Sequence, residues 1–201
     1  AFMGTESPLT VTQMLWVNLI MDTFAAMALA SLPPSEKVMK DCPRDRNAFI
    51  INRSMGWNII GVGGFFFVLL LVLLYIFEHA DITALRDILH LQLGKVNGLS
   101  PYELTLIFTI FVMTHFFYLF NARAFETGRS ALHFKGCRGL LFIISIIFIG
   151  QIAMVELPIL QKFFNIVKGG LSVEDWAIIL IGSSLVLWVR EAWHLIKSFK
   201  E

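Results

Sequence analysis

Five long runs of apolar residues alternate with charged segments along the chain. They cover Val11–Leu32, Trp57–Phe77, Leu104–Phe120, Gly139–Val155 and Trp176–Val189, the last continued on one face by Trp193 and Leu195. About 20 mostly apolar residues cross a bilayer as a helix, with a range near 17–25. The first two runs meet that length outright, the third and fourth sit at its lower edge, and the fifth reaches it with its flanking turns. Because the runs are continuous rather than alternating, a β-barrel is excluded. The pattern predicts an all-α membrane protein, a bundle of five transmembrane helices over about residues 11–32, 54–78, 103–121, 139–156 and 175–194, in one domain across 1–201.

The segments between the runs add detail. Pro33-Pro34 stops the first helix, since proline cannot continue the hydrogen-bond ladder. Ser35–Ile51 mixes both charge signs, as a docking surface would. Within Asp81–Leu93, Ile82, Leu85, Ile88 and Leu89 recur at helical spacing, and a short helix on the outer membrane surface is expected. Ser100-Pro101-Tyr102-Glu103 has the form of a capping box opening the third helix. Gly169-Gly170 marks a turn before the fifth.

Charge placement predicts orientation. Twelve basic residues fall on one side: Lys37, Lys40, Arg44, Arg46 and Arg53 after the first run, Arg123, Arg129, Lys135 and Arg138 after the third, and Arg190, Lys197 and Lys200 at the tail. Four fall on the other, Arg86, Lys95, Lys162 and Lys168. Basic residues favour the cytoplasmic side, which puts the N-terminal end outside and the C-terminal end in the cytoplasm. Cys42 and Cys137 then lie in cytoplasmic loops, where thiols stay reduced.

Composition agrees with a membrane class. The 201 residues are 57% hydrophobic, with a mean hydropathy of +0.72, beyond an ordinary soluble domain. No basic n-region or cleavage site follows Ala1, so no signal peptide is expected, and the chain reads as a piece of a longer polypeptide. The two cysteines form no C-x-x-C pair, and neither a thiolate metal site nor a disulfide framework is expected. The net charge of +1 carries no message by itself, and no nucleic-acid partner is expected. Phosphate-binding glycine loops, HExxH and nucleophile elbows do not occur.

The first run carries the candidate chemistry. Asp22 is its only charged residue, and a carboxylate at the centre of a membrane helix costs roughly 2.5–3.5 kcal/mol on insertion scales. Asn18 lies four residues earlier, on the same helical face. An interhelical hydrogen bond would be the plain role for such a pair, but an asparagine alone would supply one. A cation site explains the ionisable group. Calcium takes 6–8 oxygens, so this helix supplies part of a site, and broken-helix carbonyls or another carboxylate must complete it. His115 and Thr114 on the third helix, and Gln151 and Asn58 elsewhere, are read as hydrogen-bonded packing residues, and Gly61, Gly63 and Gly64 as a face for close helix approach.

These residues carry a family resemblance. Gln13-Met-Leu-Trp-Val-Asn-Leu-Ile-Met-Asp-Thr-Phe-Ala-Ala, then Ala28-Leu-Ala and Pro33-Pro34, resembles the sixth membrane helix of P-type calcium-transporting ATPases, the plasma-membrane-type branch above all. Phe120-Asn-Ala-Arg123 is similar to the motif closing that family's eighth helix, and Gly150-Gln151 and Val173-Glu-Asp-Trp176 fit the ninth and tenth. The resemblance covers essentially the whole chain, as helices six to ten of such a pump.

The resemblance implies that Asn18 and Asp22 are calcium ligands, completed by a glutamate and carbonyls on the family's broken fourth helix. The position of Met21 is a threonine ligand in the two-site reticulum-type pumps. A thioether is a poor ligand for a hard cation, and the third run has no carboxylate between Leu104 and Asn121, so one calcium per cycle is implied. Calcium would be the transported ion; ATP and magnesium would act only on the parent protein, because the DKTGT phosphorylation motif is absent from this chain. The implied partners are the lipid bilayer, the pump's N-terminal membrane helices and its cytoplasmic domains, with Ser35–Arg53 touching the phosphorylation domain. The implied location is the plasma membrane. A manganese or sodium pump, or a non-enzymatic scaffold or channel subunit, is the alternative reading.

Overall fold

A computed structural model of the chain describes residues 9–32, 49, 51–80, 82, 84–90, 98–124, 130–133 and 137–198. Among these the protein is all-helical, without strands. The elements are α1 (Val11–Ala30), α2 (Arg53–His79), α3 (Pro101–Arg123), α4 (Arg138–Glu156), the short α5 (Pro158–Phe164) and α6 (Val173–Ser198). All except α5 are long and apolar enough to cross a membrane. Pro33-Pro34, Cys42 and most of the Ser35–Arg53 segment lie outside the described residues.

The helices start where the sequence supplies acceptors for their unpaired N–H groups. The expected box at Ser100 is present: Ser100 Oγ accepts from Glu103 N at 3.2 Å, and Glu103 Oε2 accepts from Ser100 N at 2.7 Å. Two further boxes were not singled out in the sequence. Thr10 with Gln13 opens α1, and Ser172 with Asp175 opens α6. Asn52 caps α2, its Oδ1 accepting from Met55 N at 2.6 Å.

Burial ranks the helices. Of the apolar window of α3, 67% is buried inside the molecule, against 12% for α1 and 11% for α2. Leu106, Ile107, Phe108, Val112 and Met113 of α3 form the centre of the core. A polar group in a membrane must be satisfied by protein, and the hydroxyls of α3 return to their own helix. Thr105, Thr109 and Thr114 donate to the carbonyls of Pro101, Thr105 and Ile110 at 2.8, 2.8 and 2.6 Å. Thr114 Oγ1 also meets Ser183 Oγ of α6 at 3.3 Å, and Asn121 Nδ2 donates to Val186 O at 2.9 Å. His115 stacks on Phe66 of α2, ring centroids 3.9 Å apart.

The outer segment after α2 departs from the surface helix expected over Asp81–Leu93. It forms a 3-10 turn at Leu85–His90, with Ile82 and Leu85 buried in the core. Two carboxylates already committed to helix caps hold it there: Ile82 N donates to Glu103 Oε1 at 3.4 Å, and Leu85 N to Asp175 Oδ1 at 3.3 Å.

Beyond α4, Leu157 is extended and Pro158 starts α5, a change of direction that the apolar run conceals. Asn165 ends α5 in the left-handed region at φ 55°, and Gly169 and Gly170 follow at φ 94° and 74°, forming the expected turn. A Cβ on Gly170 would collide with the carboxylate of Glu156. That carboxylate accepts from Trp176 Nε1 at 2.7 Å and Leu171 N at 3.3 Å, so Glu156 ties α4 to α6. At the opposite ends of the helices, Arg123 donates to Ala131 O and His133 O at 2.8 Å and to Cys137 Sγ at 3.2 Å. Glu191 accepts from Ser130 Oγ and Ala131 N at 2.7 and 2.6 Å, securing the same segment to α6.

Candidate cation site

α1 is not one uniform helix. Val11–Trp16 and Ala25–Ala30 are α-helical, and Val17–Phe24 between them is π-helical. A π-helix closes its hydrogen bonds at i→i+5 and occurs mostly as short insertions, often at functional sites. Asn18 and Asp22 both lie in this turn. In such a turn residues four and five apart share a face, which brings Thr23 beside Asn18 and Asp22. All three side chains are exposed. Thr23 was not picked out from the sequence, because an α-helical register turns it away from Asn18. The side chain of Met21 lies outside the described residues.

The opposite face of α1 is the packed one. Gln13 and Ala28 are buried against the rest of the bundle. Ser31 Oγ would stand 3.1 Å from a Cβ on Gly139 of α4, and Trp16 Cη2 3.2 Å from one on Gly150. The glycines that allow close approach are therefore Gly139 and Gly150. At Gly61, Gly63 and Gly64 of α2, by contrast, nothing lies within 4 Å of an added Cβ. Gln151 and Asn58 make the interhelical bonds expected of them: Trp16 Nε1 donates to Gln151 Oε1 at 3.1 Å, and Tyr118 OH to Asn58 Oδ1 at 3.4 Å.

The exposed face of the π turn can offer oxygen ligands and one negative charge. Among the described residues no cluster of three or more His, Cys, Asp or Glu could hold a metal ion. Asn18, Asp22 and Thr23 present four side-chain oxygens between them, short of the 6–8 that calcium takes. The chain purified alone is therefore expected to show no calcium binding at micromolar concentration in titration calorimetry; a micromolar isotherm would mean that these five spans close the coordination shell unaided.

A second open feature is a groove of about 990 Å³ between α2, α3 and α6, lined by Gly61, Phe65, Thr114, Asn121, Val186 and Arg190 among others. Its walls are mainly apolar, but Asn121 Oδ1 and Arg190 Nη1 are buried there without hydrogen-bond partners among the described residues.

The chain is similar to known proteins over most of its length. Residues 6–196 match the family described as cation transporting ATPase, C-terminus. Plasma membrane calcium-transporting ATPase 4 of Bos taurus is 35% identical over 187 residues, 91% of this chain and 15% of its own length. Plasma membrane calcium-transporting ATPase 1 of Gallus gallus is 35% identical over 188 residues, again 91% of this chain and 15% of its own length. Calcium-transporting ATPase PAT1 of Dictyostelium discoideum is 44% identical over 121 residues, 58% of this chain and 10% of the relative. The chain thus spans a small part of the relatives it matches. With its five spans and its match over nearly the full chain, the protein belongs to the cation-transporting ATPases, as the membrane portion that forms their C-terminus.

Proposed function

We propose that the chain is the C-terminal membrane segment of an ATP-driven calcium pump of the plasma membrane, and that Asn18 and Asp22 supply part of its intramembrane calcium site. The observation that carries this reading is a carboxylate in the π-helical turn of a membrane span, presented with Asn18 and Thr23 on a face that the described residues leave open. A helix that carries a charge into hydrocarbon and turns it away from its own bundle needs a counterpart outside that bundle. The sequence favours one ion per cycle, because Met21 offers sulfur where an oxygen ligand would be needed and no carboxylate interrupts Leu104–Asn121.

The counterpart is the remainder of the pump. Its other membrane helices cover the Asn18–Asp22 face and fill the mainly apolar groove between α2, α3 and α6. Gly61, on the wall of that groove and open to it, suits a close helix there. ATP and magnesium act in the cytoplasmic domains, with Ser35–Arg53 as the contact to the phosphorylation domain. The distribution of basic residues supports an N-terminal end outside and a cytoplasmic tail.

Competition between metals tests the reading. Phosphorylation of the intact pump by ATP is expected to be driven by calcium at micromolar concentration, with manganese a weaker substitute and sodium inert. Full activation by sodium in the absence of divalent ions would overturn the calcium assignment, and no cation dependence at all would favour a scaffold or channel subunit.

A further inference from the structure

The π turn begins one residue after Trp16, a half-buried side chain that contacts both α4 and α5. Its indole Nε1 donates to Gln151 Oε1 of α4 at 3.1 Å. An indole N–H only donates, so this bond also fixes which way the Gln151 amide points. The far edge of the ring lies over Gly150, where an added Cβ would stand 3.2 Å from Cη2 and 3.3 Å from Cζ2. Its other contact is Phe164 of α5, edge to face at 5.6 Å and 70°. One turn earlier the buried Gln13 donates from Nε2 to Phe164 O at 3.1 Å, so the same α4–α5 corner grips α1 twice. Gly139 against Ser31 pins the far end of α1. The π turn therefore lies between two close contacts with α4, besides its own packing on α3 and α4.

We propose that Trp16, Gly150 and Gln151 form a clamp that sets the rotation of the π turn, and with it the positions of the Asn18 and Asp22 oxygens. The three are positioning residues rather than ligands, and the proposal rests on the calcium-site reading above. The physical case is that no described residue of this chain packs on the ligand face of α1, so what this chain contributes to the rotational setting of the turn comes from the opposite face, where Trp16, Val17 and Phe24 pack against the core. Of these, Trp16 alone adds a side-chain hydrogen bond to another helix. Calcium affinity follows the rigidity of the ligand set as well as its charge.

Glycine at 150 is what lets the indole approach α4 this closely. In Gly150→Ala the Cβ would stand 3.2 Å from the ring, which must give by a few tenths of an ångström, and that shift strains its bond to Gln151 and its contact with Phe164. Overpacking of this kind in the intact pump is expected to raise the half-saturating calcium for phosphorylation by ATP about tenfold. The phosphoenzyme level at saturating calcium is expected to hold, which a general folding defect would not allow. Gln151→Leu keeps the volume but removes the acceptor, and a shift of about threefold to fivefold is expected, the scale of one interhelical hydrogen bond.

The deciding measurement is a double-mutant cycle with Trp16→Phe, which deletes the two ring atoms that the new Cβ would touch. Gly150→Ala is expected to shift half-saturation by less than about twofold in the Trp16→Phe background, against about tenfold in the wild type. Equal shifts in both backgrounds would overturn the clamp, as would a fall in maximal phosphoenzyme with half-saturation unchanged. The wild-type pump is the control for the underlying reading. If manganese or sodium rather than calcium drives its phosphorylation, the calcium assignment fails and the cycle is read in that ion; activation by none of the three overturns both.

Discussion

Asp22→Asn is expected to abolish calcium-dependent phosphorylation by ATP in the pump that contains this chain. The substitution keeps the shape of the side chain and removes its charge, and the side chain is exposed in the π turn, so packing is not disturbed. It also lowers the cost of placing α1 in the membrane, which guards against a trivial loss of expression. What it removes is the only formal charge that α1 offers a cation. Two unit charges 4 Å apart interact by about 4 kcal/mol at an effective dielectric constant of 20, and a divalent ion in contact gains more. About 4 kcal/mol corresponds to roughly a thousandfold in half-saturating calcium, enough to remove activation from the accessible range. The measurement is phosphoenzyme formed from ATP across a calcium titration. Normal activation in the variant would strike Asp22 from the ligands, leaving its cost in the membrane without an explanation.

Asn18 and Asp22 stand out as candidates in the sequence because a charge in an apolar run is conspicuous whatever surrounds it. The geometry that presents them was not legible there. Nothing in Val17–Phe24 marks a π turn, since apolar positions at spacings of three, four and five all occur there. For the same reason Thr23 escaped notice. The five spans were legible from run length alone. The facing of each was not, because lipid tails are as apolar as a protein core and impose no amphipathic pattern. Glycines illustrate the gap. The cluster at Gly61, Gly63 and Gly64 draws attention in the sequence and meets nothing among the described residues, whereas the scattered Gly139 and Gly150 carry the close contacts with α1. Capping boxes were legible where proline advertised the helix start, at Ser100-Pro101, and missed at Thr10 and Ser172. The outer segment was misjudged because its apolar spacing was sound but its anchors, Glu103 and Asp175, come from helices remote in sequence.

The facing of the spans has a measurable consequence in two phenylalanines that look alike in the sequence. Phe108, in α3, is completely inaccessible, and Phe67, in α2, is 64% exposed. Phe108→Ala in the chain purified in detergent is expected to destabilise the bundle by about 3–5 kcal/mol, the usual range for removing a buried phenylalanine from a packed core. Phe67→Ala loses contacts mainly with detergent and is expected to stay within about 0.5 kcal/mol of the parent, as surface substitutions do. The two are compared by thermal unfolding at matched detergent concentration. The cost at Phe108 arises because α3 touches α1, α2, α4 and α6, so no single neighbour can move inward to fill the void without leaving another. Equal effects at both positions would mean that α3 is not the hub. In that case the support behind Asp22 would also be in question, because the π turn of α1 packs on α3 as well as on α4.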